Sequence, residues 1–350
     1  MFPGRRRRPM HRIAHLSDCH LRPVSGLVGG VVDADARLRR AIEVLTTWDK
    51  PCDAWFFGGD LTDEGDADTY VRLRELVEPA ASACGVQVIW GNGNHDGSDA
   101  FARVLWGVGP GDGLHSDSGL RQAQPAVGGS SPEGGVGPST LGPSYGQPDP
   151  RSLRPSKGSP NRPGLANGKP DPRSLSLSKG QPLNRTYDLR GLRFIALDSV
   201  VADRPEGRLS EVSLAWLSEL LATPAVRGSI LALHHPPVPP VQDAAGLWPL
   251  TNPGALAEVV RGSDVRLIIG GHFHQTSFTT LAGVPVAAAS SLTYTQDLTA
   301  GRTLRGQDAH AGFNLIEVHE EQVVVTAVQL DVGVGVHRAL SPADVERMRR

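Results

Sequence analysis

The chain predicts an α/β domain in which two mixed β-sheets face each other and helices cover their outer faces, a four-layer α/β/β/α sandwich. Three observations lead there. Strand-like and helix-like patterns alternate over the first hundred residues, as βαβ units of a largely parallel sheet do. The final third is rich in Val and alternates in hydropathy, which points to mostly antiparallel strands forming a second sheet. Five apolar runs end in Asp, Asn or His, and open α/β sheets gather their ligands beyond the carboxyl ends of the strands.

The elements follow in order. A strand at 12–17 runs into Asp18 and His20. A helix at about 34–48 carries Ala36, Leu38, Ala41, Ile42 and Leu45 near the 3.6-residue period. A strand at 53–58 precedes Asp60, and the helix at about 67–82 presents Tyr70, Leu73, Leu76 and Val77, with Asp66 or Asp68 as its cap. A strand at 86–90 leads to Asn94 and a helix at about 98–106. Arg185 to Leu189 and Leu192 to Leu197 read as a hairpin around Arg190-Gly191, followed by a helix at about 210–222. Ile230 to Leu233 precedes His234, and a Pro-rich loop and a helix at about 253–261 lead to the strand before His272 and His274. Gly283 to Ala289, Gly312 to Val318 and Gln322 to Leu330 complete the strands.

Residues 109–183 break this pattern. Gly, Pro, Ser, Gln and Arg dominate, and too little apolar surface exists there to offset ordering entropy. The stretch from Gln147 to Gly158 recurs from Lys169 to Gly180, yet two copies without a hydrophobic face cannot stack into a repeat fold. The segment is expected to be a disordered loop insertion, which costs little in closure entropy. The remainder forms one domain, 12–108 with 184–335, between a basic tail at 1–11 and a C-terminal helix or tail at 336–350.

Composition excludes several classes. A net charge of −2 over 350 residues gives no bulk affinity for nucleic acid or an anionic membrane. Three cysteines without a CxxC spacing suit a reducing compartment better than a disulfide framework. Arg5 to Arg8 are followed by no apolar signal core, and no run reaches membrane-spanning length. The expectation is a soluble cytoplasmic protein.

The chemistry lies in five motifs: Asp18-Cys19-His20, Gly59-Asp60-Leu61-Thr62-Asp63, Gly93-Asn94-His95-Asp96, His234-His235-Pro236-Pro237 and Gly271-His272-Phe273-His274. Each alone is weak, but five in this order, each after a strand, form a strong signal. In this order they resemble the calcineurin-like metallophosphoesterases, and Ser291 to Thr299 together with His234 to Pro237 resemble the class III cyclic-nucleotide phosphodiesterases of mycobacterial type.

The resemblance implies that Asp18, His20 and His274 bind one metal ion, that Asn94, His234 and His272 bind another, and that Asp60 bridges them. It implies a small phosphodiester substrate, 3′,5′-cyclic AMP foremost, opened to the nucleoside 5′-monophosphate by a hydroxide shared between the ions. Carboxylate, imidazole and amide oxygen donors suit iron or manganese, with zinc also compatible. His95 would meet the leaving oxygen and Asp96 would orient its ring. A homodimer is a further implication.

Other residues receive plainer readings. His235 is expected to be structural, Asp63 to cap or brace its turn, His15 to be a satisfied core histidine, and Cys19 a small buried side chain. Thr293, Tyr294, Gln296 and Asp297 either shape a substrate pocket or form a structural loop. Gly58, Cys19 and Asn92 depart from the family pattern without removing a ligand. A glycerophosphodiesterase or a broad phosphomonoesterase and phosphodiesterase is the alternative within the same chemistry, and an inert interaction scaffold is the alternative outside it.

Overall fold

The computed structural model describes residues 9–23, 26–108, 183–300, 303–330 and 347. Residues 1–8 of the tail expected at 1–11, residues 109–182 of the insertion expected at 109–183 and nearly all of the segment expected to form a C-terminal helix or tail lie outside the described residues. His11, by contrast, already belongs to the first strand, and Leu183 is buried in the core.

The first sheet is five-stranded. From its centre to one edge β1 (His11–Leu16), β2 (Ala54–Gly58) and β3 (Gln87–Gly91) run parallel. Helices α1 (Ala34–Thr47) and α2 (Ala67–Ala83) make their crossovers, and α3 (Ser98–Trp106) follows β3. The second sheet is six-stranded, in the order β4-β5-β6-β7-β9-β8. Its members are β4 (Arg185–Leu189), β5 (Leu192–Ala196), β6 (Ser229–Ala232), β7 (Val265–Gly270), β8 (Ser277–Leu281) and β9 (Val284–Ala288), with α4 (Glu211–Leu221) and α5 (Pro253–Val260) between its parallel strands. The short pair β10 (Thr295–Gln296) and β11 (Gly306–Gln307) is separate.

One expectation is corrected here. The C-terminal strands do not form a sheet of their own. The pair β12 (Gly312–Val318) and β13 (Val323–Gln329) adds antiparallel to β1 in the first sheet, while β9 pairs parallel with β7 in the second. Alternation in a sequence reports which face of a strand is buried, not which neighbour it pairs with.

Burial explains the layering. Ile13, Phe56 and Ile316 of the first sheet meet Phe194, Ile230, Leu267 and Ile269 of the second in one inter-sheet core. Leu38, Leu45, Tyr70, Leu73, Val77 and Phe101 pack the outer face of the first sheet, and Leu217, Leu221, Leu256 and Val260 that of the second. The caps are those of short polar side chains: Asp33 accepts from the Ala36 amide, Asp66 from Thr69 and Ser210 from Ser213. Among the described residues no helix is long and apolar enough to cross a membrane.

His15 belongs to this core but is not satisfied. It is fully buried against Phe56, and neither ring nitrogen has a hydrogen-bond partner. It also accounts for Gly58, because a Cβ there would lie 2.8 Å from His15 Nε2 and 3.1 Å from Ser17 Oγ. Burial, with a smaller contribution from His234, pushes the His15 pKa down to about 3. An unfolded chain protonates this ring near the ordinary value and the folded chain does not, so stability falls as pH drops from about 6.5 toward 3. On the metal-free protein, His15→Leu is expected to remove about 2 kcal/mol of the stability lost between about pH 6.5 and 5. Urea midpoints across that range measure it, and identical pH dependence in both proteins would contradict the assignment.

Candidate metal centre

The parallel strands deliver polar side chains to a common rim. Asp18 and His20 follow β1, Asp60 follows β2, Asn94 follows β3, His234 follows β6, and His272 and His274 follow β7. Asp18, His20 and His274 each place a ligand atom within 4.8 Å of the others, and so do Asp18, Asp60 and His234. Asp18 belongs to both sets, and Asp60 of the second also approaches His20 of the first. Asp60 Oδ2 lies 3.3 Å from His234 Nε2 and 3.7 Å from His20 Nε2, while its Oδ1 accepts the His95 amide at 2.8 Å.

Four histidines share one arrangement, in which one ring nitrogen is held by an oxygen and the other is left for the cluster. His20 Nδ1 contacts Asp63 Oδ1 at 3.1 Å, His234 Nδ1 the Gly58 carbonyl at 2.9 Å, and His274 Nδ1 the Tyr294 carbonyl at 2.9 Å. His272 is held through Nε2 by the Trp248 carbonyl at 2.8 Å. Such oxygen partners fix the tautomer and aim the remaining lone pair, as in metal-ligating imidazoles.

The polar atoms that remain call for a cation. Asn94 Oδ1 is buried without a hydrogen-bond partner, His234 Nε2 has the Asp60 carboxylate 3.3 Å away, and His20 Nε2 faces His274 Nε2 at 3.1 Å. Burial works against protonating His234, yet the Asp60 charge outweighs it and lifts the ring to about 9, so a proton stands where positive charge is wanted. Burial likewise opposes ionisation of Asp60, but His234, His95 and His20 hold its carboxyl well below the usual range. The donors are carboxylate, imidazole and amide, which fit divalent transition metals without a thiolate. Cys19 takes no part: burial pushes its thiol up, and it stays protonated.

The backbone is strained at the same residues. Asp18, His20, Asp60, His272 and His274 all adopt positive φ, between 43° and 69°. Non-glycine residues rarely do so, and such strain persists only where the surroundings over-determine it. Here Ser291 Oγ and Thr293 Oγ1 both donate to the Asp18 carbonyl, and the His272 amide donates to the Asp18 carboxylate. Gly93 allows the β2 and β3 loops to touch, since a Cβ there would lie 2.3 Å from the Asp60 amide nitrogen.

Several expectations sort themselves on this geometry. His235 has no lone pair to offer: Nδ1 is bonded to Ser199 Oγ at 2.9 Å and Nε2 to the Pro205 carbonyl at 3.1 Å. Asp63 does not cap a helix, since Asp66 caps α2; it holds His20 and Arg22 instead. Asp96 does not orient the His95 ring. Its carboxylate accepts from the Leu61, Thr62 and Gly93 amides and from Tyr70 Oη at 2.7 Å, tying the two loops together. Burial and then the Asp60 charge raise Asp96 to about 6 despite these donors.

The His95 ring is held by the Asp63 carbonyl, 3.1 Å from Nδ1. Burial lowers its pKa, but Asp60 and that carbonyl more than compensate, so the balance is upward. Its side chain remains 39 % exposed, the open member of the cluster. Sequence reasoning missed Tyr70, Ser291 and the Tyr294 carbonyl, which act through long-range bonds that no spacing reports.

The calcineurin-like phosphoesterase family model matches residues 11–276. The chain is 36 % identical over 332 residues to a probable cyclic nucleotide phosphodiesterase of Rhodococcus erythropolis, covering 94 % of this chain and 87 % of that one. It is 35 % identical over 342 residues to a cAMP/cGMP dual specificity phosphodiesterase of Mycobacterium tuberculosis, covering 97 % and 86 %. Its fold is similar to that of a dimetal phosphatase from Danio rerio, with a TM-score of 0.52 at 12 % identity over 92 % of this chain and 97 % of that one.

Proposed function

Because the chain belongs to the calcineurin-like phosphoesterase family, we propose that it hydrolyses 3′,5′-cyclic nucleotides, cyclic AMP foremost, to nucleoside 5′-monophosphates. The observation that carries this reading is the gathering of carboxylates and singly tethered imidazoles beyond β1, β2, β6 and β7 around Asp60. Asp18, His20 and His274 would hold one divalent ion and Asn94, His234 and His272 the other, with Asp60 shared between them. Iron or manganese suits this donor set, and zinc is compatible with it. When bound, two such ions supply an activated water and positive charge against the phosphate oxygens.

The chain's own residues do the rest. Asp63 and the carbonyls of Gly58, Trp248 and Tyr294 orient the imidazoles, so little reorganisation is needed when the substrate arrives. Opening the ring expels the 3′ oxygen, which needs a proton as it leaves. His95 keeps the proton on Nδ1 against the Asp63 carbonyl, which leaves Nε2 to deliver one to that oxygen. The Asp60 charge and the Asp63 carbonyl both favour the protonated ring and shift its pKa upward.

Reconstitution with manganese or iron, followed by assay of cyclic AMP, cyclic GMP, bis-p-nitrophenyl phosphate and glycerophosphodiesters, tests the reading. Cyclic nucleotides are expected to show the highest kcat/KM. Preference for glycerophosphodiesters would overturn the substrate, and inactivity toward every diester would overturn the reaction.

A further inference from the structure

A cavity of about 280 Å³ shares His274 with the metal centre. Its other walls include Phe313 at the start of β12 and Val328 near the end of β13. Because β12 runs antiparallel to β1, with Asn314 opposite His15, Phe313 stands at the carboxyl end of β1. The cavity therefore lies on the rim that carries Asp18 and His20. Its volume falls near the lower end of small-molecule pockets, about 300–1,000 Å³.

The wall holds two carboxamides with unmet hydrogen-bonding capacity. Gln275 is only 7 % exposed, and neither its Oε1 nor its Nε2 has a partner. Gln296 lines the same space with an Oε1 that is also buried and unpartnered. Buried amides are nearly always paired, and leaving one open is costly unless a ligand completes it. No Lys or Arg is among the described residues of the wall, so the cavity is not built for a second phosphate. A carboxamide offers one donor and one acceptor side by side, which matches the edge of a nucleobase.

We infer that this cavity receives the base of the nucleotide whose phosphate lies at the metal centre, and that Gln275 and Gln296 turn their buried amides toward it to read its edge. The inference rests on the cyclic-nucleotide reading above and adds a specificity site to it. In manganese-reconstituted full-length enzyme, Gln275→Leu is expected to lower the ratio of kcat/KM for cyclic AMP to that for bis-p-nitrophenyl phosphate by about 10-fold. The loss should appear as a higher KM for the nucleotide, and the preference between cyclic AMP and cyclic GMP should shift with it.

If the wild type opens cyclic AMP but the ratio and the base preference do not move, the cavity assignment is overturned while the substrate reading stands. If the wild type cleaves only the baseless diester, both fall. Should Gln275→Leu fail to fold, Gln296→Leu is measured by the same ratio: a fall supports the assignment, and an unchanged ratio overturns it.

Discussion

Asp60→Ala is expected to lower kcat/KM toward every phosphodiester by at least about 10³-fold, the loss that follows when several kcal/mol of charge stabilisation disappear. This carboxylate reaches both halves of the cluster: its Oδ2 approaches His234 and His20, and its Oδ1 fixes the His95 amide. Removing it takes away the proposed shared ligand and deprives His234 of the charge that raises its pKa. Bound metal should fall from two equivalents to one or fewer. Elemental analysis of the purified variant, alongside the assay, measures both. A variant that keeps two ions and wild-type turnover would mean that Asp60 is only a loop brace.

His95→Ala should behave differently. General acid catalysis by a positioned side chain contributes about 10²–10⁴-fold, and a loss in that range is expected in kcat. Metal content should stay at the wild-type value, because the four tethered imidazoles and the carboxylates are untouched. The defect should shrink for bis-p-nitrophenyl phosphate, whose nitrophenolate departs without needing a proton. If His95→Ala instead loses metal in proportion to activity, the ring is a ligand. Its closeness to His20 and Asp60 makes that outcome a real contrast.

Much of this arrangement was legible in the sequence, for a local reason. A strand that ends in Asp or His announces a rim residue, so the motifs and the element boundaries from β1 to α3 follow from period and punctuation alone. Asp63 reads locally as a helix cap or a brace of its turn, and nothing local shows that it turns toward His20. Pairing partners were less legible. β12 could not be placed beside β1 by its alternation, and β8 is a half-exposed edge strand whose pattern is weak.

The supporting bonds were not legible at all. Tyr70 reaches Asp96 across 26 positions, and Thr293 reaches Asp18 across 275. The first forms where α2 packs beside the loop after β3 and the second where loops from the two sheets meet, and only tertiary structure creates either. The error over Asp96 has that origin: proximity in sequence to His95 suggested a partnership, whereas the carboxylate turns inward to the amides of a different loop.

The central claim is that side chains from the ends of separate strands jointly bind two divalent ions. Anomalous diffraction from crystals grown with manganese tests it most directly. Two peaks are expected, one contacting Asp18, His20 and His274, the other Asn94, His234 and His272, with Asp60 touching both. A single peak, or peaks remote from Asp60, would contradict the account.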